Sequence, residues 1–118
     1  MEWIFRADLP IYSQLVEQIK LAIVSGVYAP GQRLDSVRDM ASEAGVNPNT
    51  MQRALQELER LGLVFPQRTA GRFVTEDTAM IDDCKRALAQ EQLSAFLEAM
   101  KKLGYDRAAI AAMRQEEE

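Results

Sequence analysis

NPNTMQRALQELERLG, residues 47–62, contains a helix start, an amphipathic body and a helix stop within one short stretch. Asn47 is a strong N-cap because its side-chain oxygen can accept from one of the first unpaired amides, and Pro48 suits the first helical position, where its missing N–H would have had no partner. Met51, Ala54, Leu55, Leu58 and Leu61 recur at helical spacing and define a buried face, while the early positions on the other side are the polar Asn49, Thr50, Gln52 and Arg53. Gly62 ends the element.

Working upstream, Val46 alone separates Asn47 from Gly45, which closes a shorter helix. Ser36 caps that helix, Asp39 completes a capping-box-like pair, and Val37, Met40 and Ala41 form its apolar stripe. Before it, Tyr28-Ala29-Pro30-Gly31 reads as a turn and Arg33-Leu34 as extended chain. A first helix opens at Pro10, carries Ile11, Leu15, Ile19 and Ile23 every four residues with Val16 beside them, and stops at Gly26. The β-favouring Trp3-Ile4-Phe5 precedes it. Downstream, Leu63-Val64-Phe65 reads as a strand that turns through Pro66 to Ala70 and returns as Gly71-Arg72-Phe73-Val74.

The order is helix, helix, turn, helix and β-hairpin. The expected fold is mostly α with a small β-hairpin wing: a winged helix-turn-helix over residues 1–75, followed by a two-helix C-terminal segment over residues 76–118. In the tail, an alanine-rich helix runs from about Thr78 to Met100, Gly104 breaks it, and Asp106 caps a last short helix from Arg107 to about Gln115 carrying Ile110 and Met113. Glu116-Glu117-Glu118 reads as a solubilising end.

Ile81, Leu88, Leu93, Phe96, Leu97, Met100 and Leu103 give the tail more apolar surface than one short neighbouring helix can cover. At about 25 cal/mol per Å², leaving that surface wet costs several kcal/mol, so a second copy of the chain is the expected cover and the segment is read as a homodimerisation device.

Composition narrows the function classes. With 47% hydrophobic and 27% charged residues in 118, the chain is an ordinary globular sequence without room for a separate catalytic domain. No apolar run approaches the length of a membrane span and the amino terminus lacks a signal peptide's pattern, so no membrane partner and a cytoplasmic home are expected. Histidine is absent, and the one cysteine, Cys84, lies on an apolar helix side, where it reads as a small buried hydrophobe rather than a redox sensor. Met40, Met51, Met80, Met100 and Met113 likewise fall at core spacings. Without histidine, a Gly-rich phosphate loop or paired carboxylates, neither an enzyme nor a cofactor or metal site is expected.

The net charge of −4 argues against nucleic acid only on average. Residues 1–75 carry eight Lys and Arg against eight Asp and Glu, whereas residues 76–118 carry six against ten, so the acidity sits in the tail. In a helix-turn-helix the second helix lies in the major groove with its amino-terminal residues toward base edges. Here that recognition helix is 48–61, with Asn49, Thr50, Gln52 and Arg53 early on its exposed side, and the wing adds Gln67, Arg68, Thr69, Gly71 and Arg72.

These residues also mark a family. Pro10-x-Tyr12-x-Gln14, Gly26-x-Tyr28-x-Pro30-Gly31-x-x-Leu34-x-Ser36-x-Arg38, Gly45-Val46-Asn47-Pro48-Asn49-Thr50, Leu58-x-x-x-Gly62 and Gly71-x-Phe73-Val74 together resemble the GntR family of bacterial regulators across residues 10–75 without a gap. The Val-Asn-Pro-Asn-Thr string with a short tail looks like the YtrA subfamily. The resemblance implies a sequence-specific DNA-binding transcriptional regulator, a dimeric repressor of its own operon of the kind that often controls transporters, on a palindromic double-stranded operator. It implicates Ser36, Arg38, Asn47, Asn49, Thr50, Gln52, Arg53, Arg68 and Thr69 in DNA contact, and the hairpin position adds Arg72. Many relatives carry proline at Asp35, arginine at Pro48 and Gln52, and glycine at Thr69. The tail holds no counterpart of larger ligand-binding domains, so no small-molecule effector is named. A reading from another class is a winged-helix protein-interaction module, which a weak response to salt would distinguish.

Overall fold

A computed structural model of the protein describes residues 1–117, leaving Glu118 and its share of the expected acidic end outside the described residues. The elements are α1 (Ile11–Val24), α2 (Val37–Ala44), α3 (Pro48–Arg60), β1 (Val64–Gln67), β2 (Gly71–Val74), α4 (Thr78–Lys102) and α5 (Arg107–Glu117). This is the expected winged, mostly helical fold. Contacts divide the chain into two compact units, Met1–Lys85 and Arg86–Glu118.

Local chemistry sets most boundaries. Asn47 caps α3 by accepting from the Asn49 amide at 2.7 Å, and Ser36 caps α2 by accepting from the Asp39 amide at 3.1 Å. Gly45, at φ 70°, closes α2 in the left-handed conformation that makes the tight turn into α3, and its amide bonds back to the α2 carbonyls. Pro10 departs from expectation by one place. Its ψ of 136° is extended, so it is the N-cap of α1 and the helix begins at Ile11.

The hairpin also closes later than the sequence suggests. Pro66 and Gln67 belong to β1, opposite Arg72 and Gly71, and only Arg68, Thr69 and Ala70 make the turn. Proline is tolerated there because β1 is an edge strand. On its other side β2 meets the extended 31–34 segment: Gly31 donates to the Val74 carbonyl, Val74 to Gln32 and Leu34 to Arg72, at 2.9–3.0 Å. α5 runs two residues past its expected end at Gln115.

The core of the first unit lies between the apolar faces of α1, α2 and α3 and the hairpin. Leu15, Ile19, Met51, Ala54, Leu55, Leu58 and Val74 are all at 0% exposure. Val16, Ile23, Leu34, Met40, Ala41, Leu63, Val64 and Ile81 complete the cluster. The methionines divide: Met40 and Met51 are buried as expected, whereas Met80, beside Gly62, and Met113 are exposed, and Met100 is half-buried. In the second unit, Gly104 at φ 94° ends α4, and Asp106 caps α5 by accepting from the Ala109 amide at 2.9 Å.

Trp3-Ile4-Phe5 does not pair with a strand; it pairs with two glutamine side chains. Gln18 accepts from the Ile4 amide at 3.1 Å and donates to the Ile4 carbonyl at 2.6 Å, and Gln14 does the same for Arg6 at 2.7 and 2.8 Å. A carboxamide offers the donor and acceptor of a peptide group, and one helical turn, about 6 Å for four residues, nearly matches the ~6.7 Å between alternate strand residues. Trp3 and Phe5 therefore alternate to the other side, stack with centroids 6.2 Å apart and pack on the core.

Two substitutions separate these contributions. Leu55→Ala empties a fully buried site and is expected to cost about 2–5 kcal/mol. Gln18→Ala removes two exposed bonds and is expected to cost about 1 kcal/mol while speeding hydrogen exchange at the Ile4 amide. Urea unfolding with amide exchange checks both.

Candidate nucleic-acid interface

One side of α3 is fixed by the core; the other is left polar. Asn49 and Arg53, four residues apart, and Gln56 beyond them are exposed, Gln52 is half-buried among them, and Thr50 is half-buried at the edge. Gln56 continues the stripe by one turn, a position that motif matching does not reach because it points to the start of a recognition helix. Asn47 lies at the head of the stripe, its side-chain oxygen committed to the cap. Ser36 likewise uses its hydroxyl as a cap, leaving Arg38, exposed in the first turn of α2, as that helix's contribution. Arg68 and Thr69 are exposed at the wing turn.

Arg53 does not hang free. Its guanidinium carbon sits 4.6 Å from the centroid of the Tyr12 ring on α1, a cation–π contact that restrains the side chain while leaving its N–H edges available. Arg72, expected to face DNA, is instead half-buried and ion-paired: Nε donates to Glu59 Oε1 at 2.5 Å and Nη2 donates to Gln52 Oε1 at 3.3 Å. Tyr12 and Glu59 were not legible as site residues because each acts through a neighbour in space rather than in sequence.

Ion pairing sorts the cations of residues 1–75. Arg6 pairs with Asp8, Lys20 with Glu17, Arg60 with Glu57 and Arg72 with Glu59. Among the described residues Arg33, Arg38, Arg53 and Arg68 make no ion pair, and all four are exposed. Arg33 is an addition to the expected set; its guanidinium packs over Gly71, where any Cβ would approach Nε to 3.3 Å. Hydrogen bonds from Arg60, then the charge of that guanidinium, hold the Glu57 carboxyl below its ordinary range, so the far end of α3 is internally neutralised. Asp35 and Glu43 direct their charge toward the half-buried Tyr28, whose hydroxyl is pushed up first by burial and then by those two carboxylates.

In the tail, the residues expected to meet a partner copy differ in place. Ile81 is 7% exposed and belongs to the core of its own unit, because the first turns of α4 pack there. Leu93, Phe96 and Leu103 are 50%, 48% and 72% exposed, while Leu88, Leu97 and Met100 are half-buried. Cys84 is half-buried beside that core, and burial pushes its thiol up, away from the reactive thiolate. Among the described residues no helix is long and apolar enough to cross a membrane, and no group of three or more His, Cys, Asp or Glu could hold a metal ion.

Comparison with known proteins agrees with this geometry. The family model described as bacterial regulatory proteins, gntR family, matches residues 11–74. The chain is 43% identical over 100 residues to the uncharacterized HTH-type transcriptional regulator YhcF of Bacillus subtilis, covering 85% of this chain and 83% of that one. It is 37% identical over 90 residues to the HTH-type transcriptional repressor YtrA of the same organism, covering 75% and 68%. A GntR family transcriptional regulator from Listeria monocytogenes superimposes with a TM-score of 0.89 at 37% identity, covering 95% of this chain and 98% of that one. The DNA-binding domain of AraR in complex with operator ORX1 superimposes with a TM-score of 0.58 at 28% identity, covering 64% and 96%. The relatives are named as transcriptional regulators. The chain belongs to the GntR family and, within it, to the YtrA-like regulators: it is a transcriptional regulator that binds DNA through a winged helix.

Proposed function

We propose that the protein is a cytoplasmic, dimeric repressor of its own operon that inserts α3 into the major groove of a palindromic operator. The observation that carries this reading is the sorting of the arginines. Of the arginines in residues 1–75, the four with no ion pair among the described residues stand in the bridged 31–34 segment, the first turn of α2, the exposed stripe of α3 and the wing turn. Cations kept clear of internal carboxylates are available to phosphates, and their position on a helix-turn-helix and its wing matches the surface such folds lay on DNA. In this reading Asn49, Thr50, Gln52 and Arg53 meet base edges or the phosphates beside them, Asn47 and Ser36 set the two helix starts, and Arg38, Arg68 and Thr69 hold the flanking backbone. The YtrA relative is named a repressor, which supports the sign of regulation.

Dimerisation is supported by the exposed Leu93, Phe96 and Leu103 in the second unit. A two-fold pair places two recognition helices about 34 Å apart, one DNA turn, and requires an operator of two inverted half-sites.

Selection of bound duplexes from a random pool, followed by titration across salt concentrations, tests the DNA reading. Affinity should fall steeply with salt, and Arg53→Ala should weaken the selected duplex by about 5- to 150-fold, the weight of one base contact at about 1–3 kcal/mol. An Arg53→Ala protein with unchanged preference removes that residue from the reading, and salt-insensitive binding favours a protein-interaction module.

The dimer has its own readout. Leu103→Asp should shift the protein to monomer in sedimentation and abolish tight binding to the inverted repeat. A footprint over a single asymmetric site refutes the two-fold arrangement.

A further inference from the structure

The chain Glu59–Arg72–Gln52 joins the wing to the recognition helix. Glu59 and Gln52 stand seven residues apart on α3, two turns along one face, with Arg72 of β2 reaching both. The side chains of Arg72 and Glu59 are 18% and 24% exposed, against 68% and 62% for the surface pair Arg6–Asp8, so water screens the brace far less.

The brace constrains what Gln52 can read. A guanidinium has only donors, so the Gln52 atom facing Arg72 must be the carbonyl oxygen and the amide nitrogen must turn away. An unrestrained glutamine can present either end by a half-turn of its amide. Adenine needs both ends, Nε2 donating to N7 and Oε1 accepting from the N6 amino group, whereas guanine shows two acceptors, N7 and O6. With its oxygen held by Arg72, Gln52 offers donors, and any amino group competing for that oxygen must share it with a cation.

We propose that Glu59 is a specificity-determining positioning residue: by holding Arg72 against Gln52 it fixes Gln52 as a donor and makes the recognition helix favour guanine over adenine at the base pair Gln52 meets. This rests on α3 lying in the major groove. Arg72 then acts on sequence preference through Gln52, and Glu59 touches no base.

The test uses the full chain, a randomised DNA pool, and affinities for the selected duplex and its single-base-pair variants. Gln52→Ala locates the relevant base pair as the one where preference collapses. There the unsubstituted protein should favour guanine over adenine by about tenfold, within the range of one base contact. Glu59→Gln, which keeps size and removes the charge, should bring that ratio to about one or below without altering preference at other pairs. Arg72→Leu should do the same at that pair. The two variants should diverge in overall affinity, tighter for Glu59→Gln and weaker for Arg72→Leu, because one removes a negative and the other a positive charge. If one fails to melt cooperatively, the other decides.

An unchanged guanine-to-adenine ratio in the folded variants overturns the proposal, as does an adenine preference in the unsubstituted protein. If Gln52→Ala changes no base pair while Arg53→Ala still does, the proposal falls and the major-groove reading stands. If selection enriches no sequence at all, both fall.

Discussion

The buried face of α3 is the constraint on which the rest of this small protein depends. Met51, Ala54, Leu55 and Leu58 are sealed from water, and they meet apolar side chains of α1, α2 and the hairpin in one cluster. Because a helix has fixed angular spacing, locking that face leaves little rotational freedom to the opposite one. Asn49, Gln52, Arg53 and Gln56 are therefore presented at an angle determined by packing. Removing one buried methyl group can cost affinity without touching a single polar residue.

Around this fixed helix the charges are divided. Internal pairs neutralise the arm ahead of α1, the middle of α1, the C-terminal turn of α3 and the base of the wing. Among the described residues, the cations of residues 1–75 left without an ion pair are Arg33, Arg38, Arg53 and Arg68, two of them held by contacts that restrain without neutralising, Arg53 over Tyr12 and Arg33 over Gly71. A chain of net negative charge can in this way keep a locally positive working surface.

Much of this was legible in the amino-acid sequence because it rests on short-range rules. Caps at Ser36 and Asn47, the left-handed stop at Gly45 and the period of the apolar residues act within a few positions, and the structure agrees with each. Where structure and sequence pattern differ, a contact distant in sequence intervenes. Pro66 looked like a turn residue and sits in a strand because the edge of this sheet needs no amide there. Ile81 reads as part of a partner-facing stripe and is buried because the first turns of α4 belong to the first unit and its core. Arg72 looked like a free wing cation and is paired with a carboxylate thirteen residues away, on a different element. Gln14 and Gln18 carried no hydropathy signal at all, yet they supply the strand that Trp3-Ile4-Phe5 lacks.

That glutamine ladder has an optical consequence. Trp3 is the chain's one tryptophan, and it is held by the arm that the ladder tethers, stacked on Phe5 and donating to Glu43 at 3.3 Å. The tethering bonds are exposed side-chain contacts, and the two rings of the arm pack against the core. Tryptophan fluorescence in this protein therefore reports the seating of the arm on the core, whereas far-ultraviolet dichroism reports the helices, and the two signals sample different parts of the fold.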